Sequence, residues 1–224
     1  MAAATRARSA AAPGSARLGW LVPAVVTGAQ IPLAVLTLRL ARGTLGADPI
    51  AATLNQLGLL SLVLLVSSLA ATPLKVLFGW AWPLRIRKTL GLLAFSSACA
   101  HLLTYAGLDQ GFDLRAIYGD ITKRPFILAG FAAFTLLVPL AATSTAGMLK
   151  WLGFVRWKRL HRLAYVAAIL GVVHFFLRVK KDATEPLIYG AVLGLLFAVR
   201  AGAWLKEQRA RAAAAGLAVG QREK

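Results

Sequence analysis

The stretch TLGLLAFSSACAHLLTYAGL, Thr89–Leu108, contains no Asp, Glu, Lys or Arg and a single histidine, His101. A helix rises about 1.5 Å per residue, so about 20 such residues cross the hydrocarbon core of a bilayer. Lys88 and Asp109 bracket it, and five more charge-free stretches lie on either side. They are Leu18–Leu38, Pro49–Leu74, Pro125–Leu149, Leu163–Leu177 and Pro186–Val199. The last two are short, and span only if Arg162 and Arg200 snorkel toward headgroups and Ala201–Leu205 extends the sixth. No further apolar stretch remains for a seventh helix. Pro23 and Pro32 predict a kinked first helix at the periphery of the bundle. The predicted fold is all-α: a polytopic membrane protein with a six-transmembrane-helix bundle.

Composition agrees with this. The chain of 224 residues is 58% hydrophobic and 15% charged, with a mean hydropathy of +0.68. A soluble domain needs more polar surface, disorder needs less apolar residue, and one cysteine, Cys99, makes no disulfide framework. Cys99 reads as a packing residue, since positions two apart on a helix do not share a face with His101.

The net charge of +18 would suggest nucleic acid on a soluble protein, but its distribution says otherwise. The N-terminus, second loop, fourth loop and tail hold 18 of the 26 Lys and Arg, and the other three loops hold 8. Six of the 8 acids lie on the lysine-poor side. The positive-inside rule then puts both termini in the cytoplasm and leaves no need for a nucleic-acid partner. Residues 1–17 read as a disordered cytoplasmic arm, 18–205 as the transmembrane domain and 206–224 as a basic cytoplasmic tail on anionic lipid. The first span is too long, and lacks a small-residue site, for a cleavable signal. In the longest outer loop, Asp109–Arg124, residues Phe112, Leu114, Ile117 and Tyr118 predict a short amphipathic helix.

All three histidines, His101, His161 and His174, fall within spans or at their edges, where ionisable residues are rare and usually functional. His101 lies about 12 Å below the outer end of the third helix and His174 about 6 Å below that of the fifth. Matching depth on separate helices suits two axial ligands of one haem iron, a metal group also named by its porphyrin disc. No Cys-X-X-Cys-His is present, so the haem would be b-type. His161 lies about 20 Å lower, where a second redox centre or a headgroup contact both fit. The third helix offers it no partner, since Lys88 stands 13 residues before His101. Arg156, Trp157 and Arg159, with Trp151 and Lys158, read either as an interfacial collar or as ligands for haem propionates or a flavin phosphate. Thr143-Ser144-Thr145 reads as a helix cap, with phosphate contact the alternative.

Several segments resemble the MsrQ family, formerly YedZ. They are Gly43–Pro49, Arg87–Leu93, His101–Tyr105, Lys123–Phe126, Thr143–Thr145, Arg156–Tyr165 and Glu185–Tyr189, in family order from about Gly43 to Arg200. The wider clan is that of ferric reductase-like transmembrane domains. The resemblance implies haem b, one or two per chain, with FMN as a further cofactor, and matches the family's haem histidines to His101, His161 and His174. It implies electron transfer across the bacterial inner membrane, from a cytosolic flavin/NAD(P)H reductase or the quinone pool. The acceptor would be MsrP, a periplasmic molybdopterin enzyme that reduces methionine sulfoxide in oxidised proteins. Chemistry on the sulfoxide would belong to that partner. Unlike the NADPH oxidases, the chain lacks a second histidine on the third helix and a fused dehydrogenase. A ferric or cupric reductase of the same clan and a non-redox channel or transporter are the alternative readings.

Overall fold

The computed structural model describes the backbone of residues 18–222 and the side chains of residues 18–214. The expected arm, 1–17, lies outside the described residues. Every regular element among them is helical. Helix α1 (Leu21–Ala41) is followed by α2 (Pro49–Phe78) and α3 (Pro83–Leu103), which continues as a π-helical stretch, Thr104–Asp109. Next come α4 (Leu114–Lys123), α5 (Pro125–Ala142), α6 (Ala146–Leu152), α7 (Phe154–Leu160), α8 (Leu163–Arg178) and α9 (Thr184–Arg222).

Six segments are long and apolar enough to cross a bilayer: α1, α2, α3 with its π stretch, α5, α7 with α8, and Thr184–Ala214 of α9. The six-helix reading holds, with different boundaries. The stretch Pro125–Leu149 is not one helix, because α5 stops at Ala142 and α6 starts anew where Thr145 Oγ1 accepts the Met148 amide. The fifth span is not limited to Leu163–Leu177 either: it runs from Phe154 to Arg178 and breaks at His161–Arg162. Helix α9 passes Leu205 without interruption, so the boundary placed there is not a break in structure. Helix α1 runs unbroken through Pro32 and has few buried residues, in keeping with a peripheral position.

The local chemistry explains several of these limits. Proline stands at the first helical position of α2, α3 and α5, where its missing N–H costs nothing. Asp48 accepts the Ala51 amide at 2.9 Å to cap α2, and Gly79, at φ 71°, closes it in the left-handed region. Asp113 caps the amphipathic α4 through the amides of Arg115 and Ala116.

Helix α2 packs along α3 and α5 along α8, and these two pairs form the centre of the bundle. Lipid tails are as apolar as leucine, so helices associate by close packing and hydrogen bonds rather than by hydrophobic burial. Several of the most buried positions follow this rule: Ala94 and Ala168 have no exposed surface, and Ala167, like the larger Leu69, only 1%. Ser61 Oγ on α2 donates to the Ala94 carbonyl on α3 at 2.9 Å. Large apolar side chains such as Ile31 and Leu195 face outward, as a lipid-facing surface requires. Enlarging Ala168 to leucine is expected to force α8 from its neighbours and cost about 1–3 kcal/mol. Thermal unfolding of the purified variant in detergent checks this, with Ile31→Leu as an outward-facing control.

Candidate functional site: a pair of imidazoles between two helix pairs

His101 is on α3 and His174 on α8, so each central pair contributes one ring. The ring centroids are 6.1 Å apart and the planes cross at 85°. Both imidazoles are anchored alike. His101 Nδ1 lies 2.9 Å from the Leu54 carbonyl oxygen on α2, and His174 Nδ1 lies 2.6 Å from that of Phe126 on α5. A carbonyl can only accept, so Nδ1 of each ring carries the proton and donates it. The tautomer is thereby fixed, and Nε2 keeps its lone pair. Neither Nε2 makes a hydrogen bond among the described residues.

The close approach depends on two glycines. A Cβ on Gly58 would meet His101 Nδ1 and Cε1 at 3.2 Å, and one on Gly130 would meet His174 Nδ1 at 2.6 Å. Each glycine stands four residues after the accepting carbonyl, where its own amide bonds that same oxygen. The ring thus occupies the space of the missing side chain.

This donor set fits one kind of group. Two imidazoles on opposite sides of a single metal ion, with metal–nitrogen bonds of about 2 Å, have centroids about 6–6.5 Å apart. Among the described residues no three His, Cys, Asp or Glu side chains gather into a metal site. Two nitrogens without a third protein ligand suit an ion whose four equatorial positions belong to a macrocycle, as in haem.

Around the pair lie residues that spacing did not single out. Arg178, one turn beyond His174, donates from Nη1 to Asn55 Oδ1, beside Leu54, and so joins α8 to α2. Tyr105, one turn beyond His101, begins the π-helical stretch with Thr104 and donates to Asp120 Oδ2 of α4 at 3.0 Å. Asp120 also pairs with Arg124 at 3.1 Å. π-helical turns recur at functional sites, and this one begins three residues after His101, at the end of the third span. Mid-span glycines and an Asn near a span end were the available signals; spacing alone assigns them no partner.

His161 is elsewhere. It terminates α7, so it is not on one continuous helix with His174. Its Nε2 lies 3.1 Å from Thr143 Oγ1, and its ring stacks on Trp157 at 4.0 Å. Trp157 Nε1 donates to the Thr143 carbonyl at 2.9 Å. Thr143 thus closes α5 as its C-cap and also partners His161, while Thr145 caps the start of α6. Arg156 and Arg159 are exposed, and their side chains make no hydrogen bond or ion pair among the described residues. The structure brings His101 and His174 together, and His161 with Trp157, but does not unite the two groups.

Replacing Gly130 by alanine is expected to push His174 off the Phe126 carbonyl and lower the thermal midpoint by more than Gly58→Ala does. Melting both variants beside the unaltered protein tests the order.

The comparisons with known proteins follow the same lines. Residues 54–172 match the family described as "Ferric reductase like transmembrane component". The chain is 53% identical over 184 residues to the "Protein-methionine-sulfoxide reductase heme-binding subunit MsrQ" of Rhodospirillum rubrum, covering 82% of this chain and 88% of that one. The protein of the same name from Deinococcus radiodurans is 48% identical, with 79% and 87% covered. That from Herminiimonas arsenicoxydans is 41% identical, with 90% and 94% covered. No solved structure matches. Two helix pairs closing on His101 and His174, and likeness of this extent along the chain, lead to one conclusion: the chain belongs to the MsrQ family of ferric reductase-like transmembrane proteins.

Proposed function

We propose that the chain is the haem-binding, electron-transferring subunit of a bacterial protein-methionine-sulfoxide reductase system. The observation that carries this reading is the separation of 6.1 Å between two imidazoles whose Nδ1 protons are both taken by backbone carbonyls. His101 and His174 are the residues that would hold a b-type haem. Haem would supply a one-electron couple there, and with His101 and His174 both holding its iron, electron transfer would be favoured over oxygen binding. The chain's own contribution is to fix both tautomers, hold the rings at one depth and exclude water. Arg178 adds a fixed cation one turn from His174, which favours the more reduced state of any redox group there.

The arrangement lies in the inner membrane with both termini in the cytoplasm, by the distribution of basic residues. The α4 end is then periplasmic and the α6–α7 end cytoplasmic. Electrons enter at the cytoplasmic end, from a flavin/NAD(P)H reductase or from quinol. There His161, Trp157, Arg156 and Arg159 form the receiving surface, with a basic face suited to FMN phosphate or to a second haem's propionates. They leave at the periplasmic end to an MsrP-type molybdopterin subunit, which takes two electrons and two protons to turn a sulfoxide into a thioether and water. Residues 1–17 are a cytoplasmic arm, 18–205 the haem-binding domain and 206–224 a basic tail.

A second reading has a specific support, the family description as a ferric reductase like component. In that case the same pair serves reduction of a ferric or cupric chelate. Comparing the rates at which the reduced protein loses its electron to MsrP and to a ferric chelate separates the two, and faster reduction of the chelate overturns the first.

Replacing His101 or His174 by alanine is expected to abolish the reduced b-type absorbance. His161→Ala is expected to keep that absorbance while slowing its appearance with a cytosolic donor at least tenfold. Unchanged spectra in both His101→Ala and His174→Ala defeat the assignment.

A further inference from the structure

At the α6–α7 end, apart from the His101–His174 pair, an arginine is embedded among helices with no countercharge among the described residues. Arg200 of α9 donates from Nη2 to the Leu69 carbonyl of α2 at 2.6 Å and from Nη1 to the Tyr165 hydroxyl of α8 at 2.8 Å. Its guanidinium carbon lies 5.2 Å from the Tyr165 ring centroid. Its Nε, shielded from solvent, has no hydrogen-bond partner among the described residues. The ion pairs among those residues are Arg124–Asp120 and Arg211–Glu207, so the carboxylate two turns along α9 is already engaged. Ser68, next to Leu69, donates to the Arg87 carbonyl at 3.0 Å and so brings a second cation-bearing residue to the same level.

Beside Arg200 runs a groove of about 360 Å³ lined by Tyr165, Phe197, Arg200, Ala201 and Trp204. One wall is cationic and the rest is aromatic and aliphatic. Trp204 is 57% exposed on the outward surface of α9, where a lipid would approach. Depth gives an independent measure. Leu69 lies 20 residues into α2 and Arg200 16 residues into α9, or about 30 and 24 Å from the α4 end at 1.5 Å per residue. The hydrocarbon core is about 30 Å thick, so the guanidinium sits where tails end and phosphates begin.

We propose that this groove is a binding site for an anionic phospholipid, its phosphate on Arg200 and an acyl chain along Phe197 and Trp204. The guanidinium fork suits phosphate oxygens, and the unbalanced charge at membrane depth calls for an anion. A zwitterionic headgroup brings its own ammonium toward Arg87 and Arg200, which disfavours it. Basic pockets between transmembrane helices recognise anionic headgroups in this way. The site is independent of the electron-transfer reading and of which side of the membrane the α6–α7 end faces.

The test uses the full chain purified in detergent, with native mass spectrometry for retained lipid and thermal unfolding for its effect. Phosphatidylglycerol is expected to stay bound several-fold more than phosphatidylcholine and to raise the unfolding midpoint. Arg200→Gln abolishes the preference, and Arg200→Lys restores part of it. Should Arg200→Gln fail to fold, Trp204→Ala decides, since it opens the groove without touching the bonds to Leu69 and Tyr165; it is expected to weaken retention at least threefold. Equal retention of the two lipids, or wild-type retention in Trp204→Ala, overturns the proposal. So does protection by inorganic phosphate or FMN equal to that by phosphatidylglycerol, which assigns the cation to a soluble phosphate.

Discussion

An imidazole inside a bilayer has one N–H to satisfy and one lone pair to use, and no water to help with either. The structure settles the first demand by aiming Nδ1 of His101 and His174 at carbonyls of the neighbouring helices. A buried polar group without a partner costs several kcal/mol in hydrocarbon, so these bonds decide which helices stand together. Helix α3 must lie against α2 at Leu54, and α8 against α5 at Phe126. What remains, two lone pairs on rings whose centroids are 6.1 Å apart, is the chemical content of the site.

The carbonyls recruited for this already accept a helical hydrogen bond from the residue four positions on. They are free for a second donor because carbonyl oxygen has two lone pairs, but the space beside them is normally filled by the following turn's side chain. Gly58 and Gly130 remove that side chain in both places. The same device on two unrelated pairs of helices gives the centre of the bundle an approximate internal equivalence, α2–α3 with α5–α8. Cross-links then tie the two halves together. Arg178 reaches Asn55 at one end, and at the other Arg200 joins α9 to both α2 and α8.

Much of this was legible in the sequence for one physical reason: hydrocarbon tolerates charge so poorly that its thickness is written as gaps between Lys, Arg, Asp and Glu. Counting those gaps found six spans, and depth counted from their ends put His101 and His174 in the same outer half of the bilayer. What counting could not supply was where a helix breaks without a charge to mark it. Ala142–Ala146 and the turn at His161–Arg162 are set by hydrogen bonds of Thr143, Thr145 and Trp157, and these need partners from elsewhere in the chain. Nor does spacing tell a packing glycine from Gly130, because the difference is a ring that arrives from another helix.

The position of the cations follows from the same solvation argument. Arg178 and Arg200 stand within segments that hydropathy assigns to the bilayer, yet neither has a carboxylate among the described residues; both give hydrogen bonds to neutral oxygens. Neutral acceptors satisfy N–H groups without cancelling charge, so each site keeps its positive potential after the bonds are made. A salt bridge would have compensated the charge locally and left nothing for a redox group or an anion to feel. At the histidine pair that retained potential would favour the reduced state of a redox group held there, in line with the proposed function. At the α6–α7 end, where depth alone places phosphates, it biases the site toward holding an anion. The same chemical choice, an arginine bonded only to amide, hydroxyl and backbone oxygens, thus underlies both proposals.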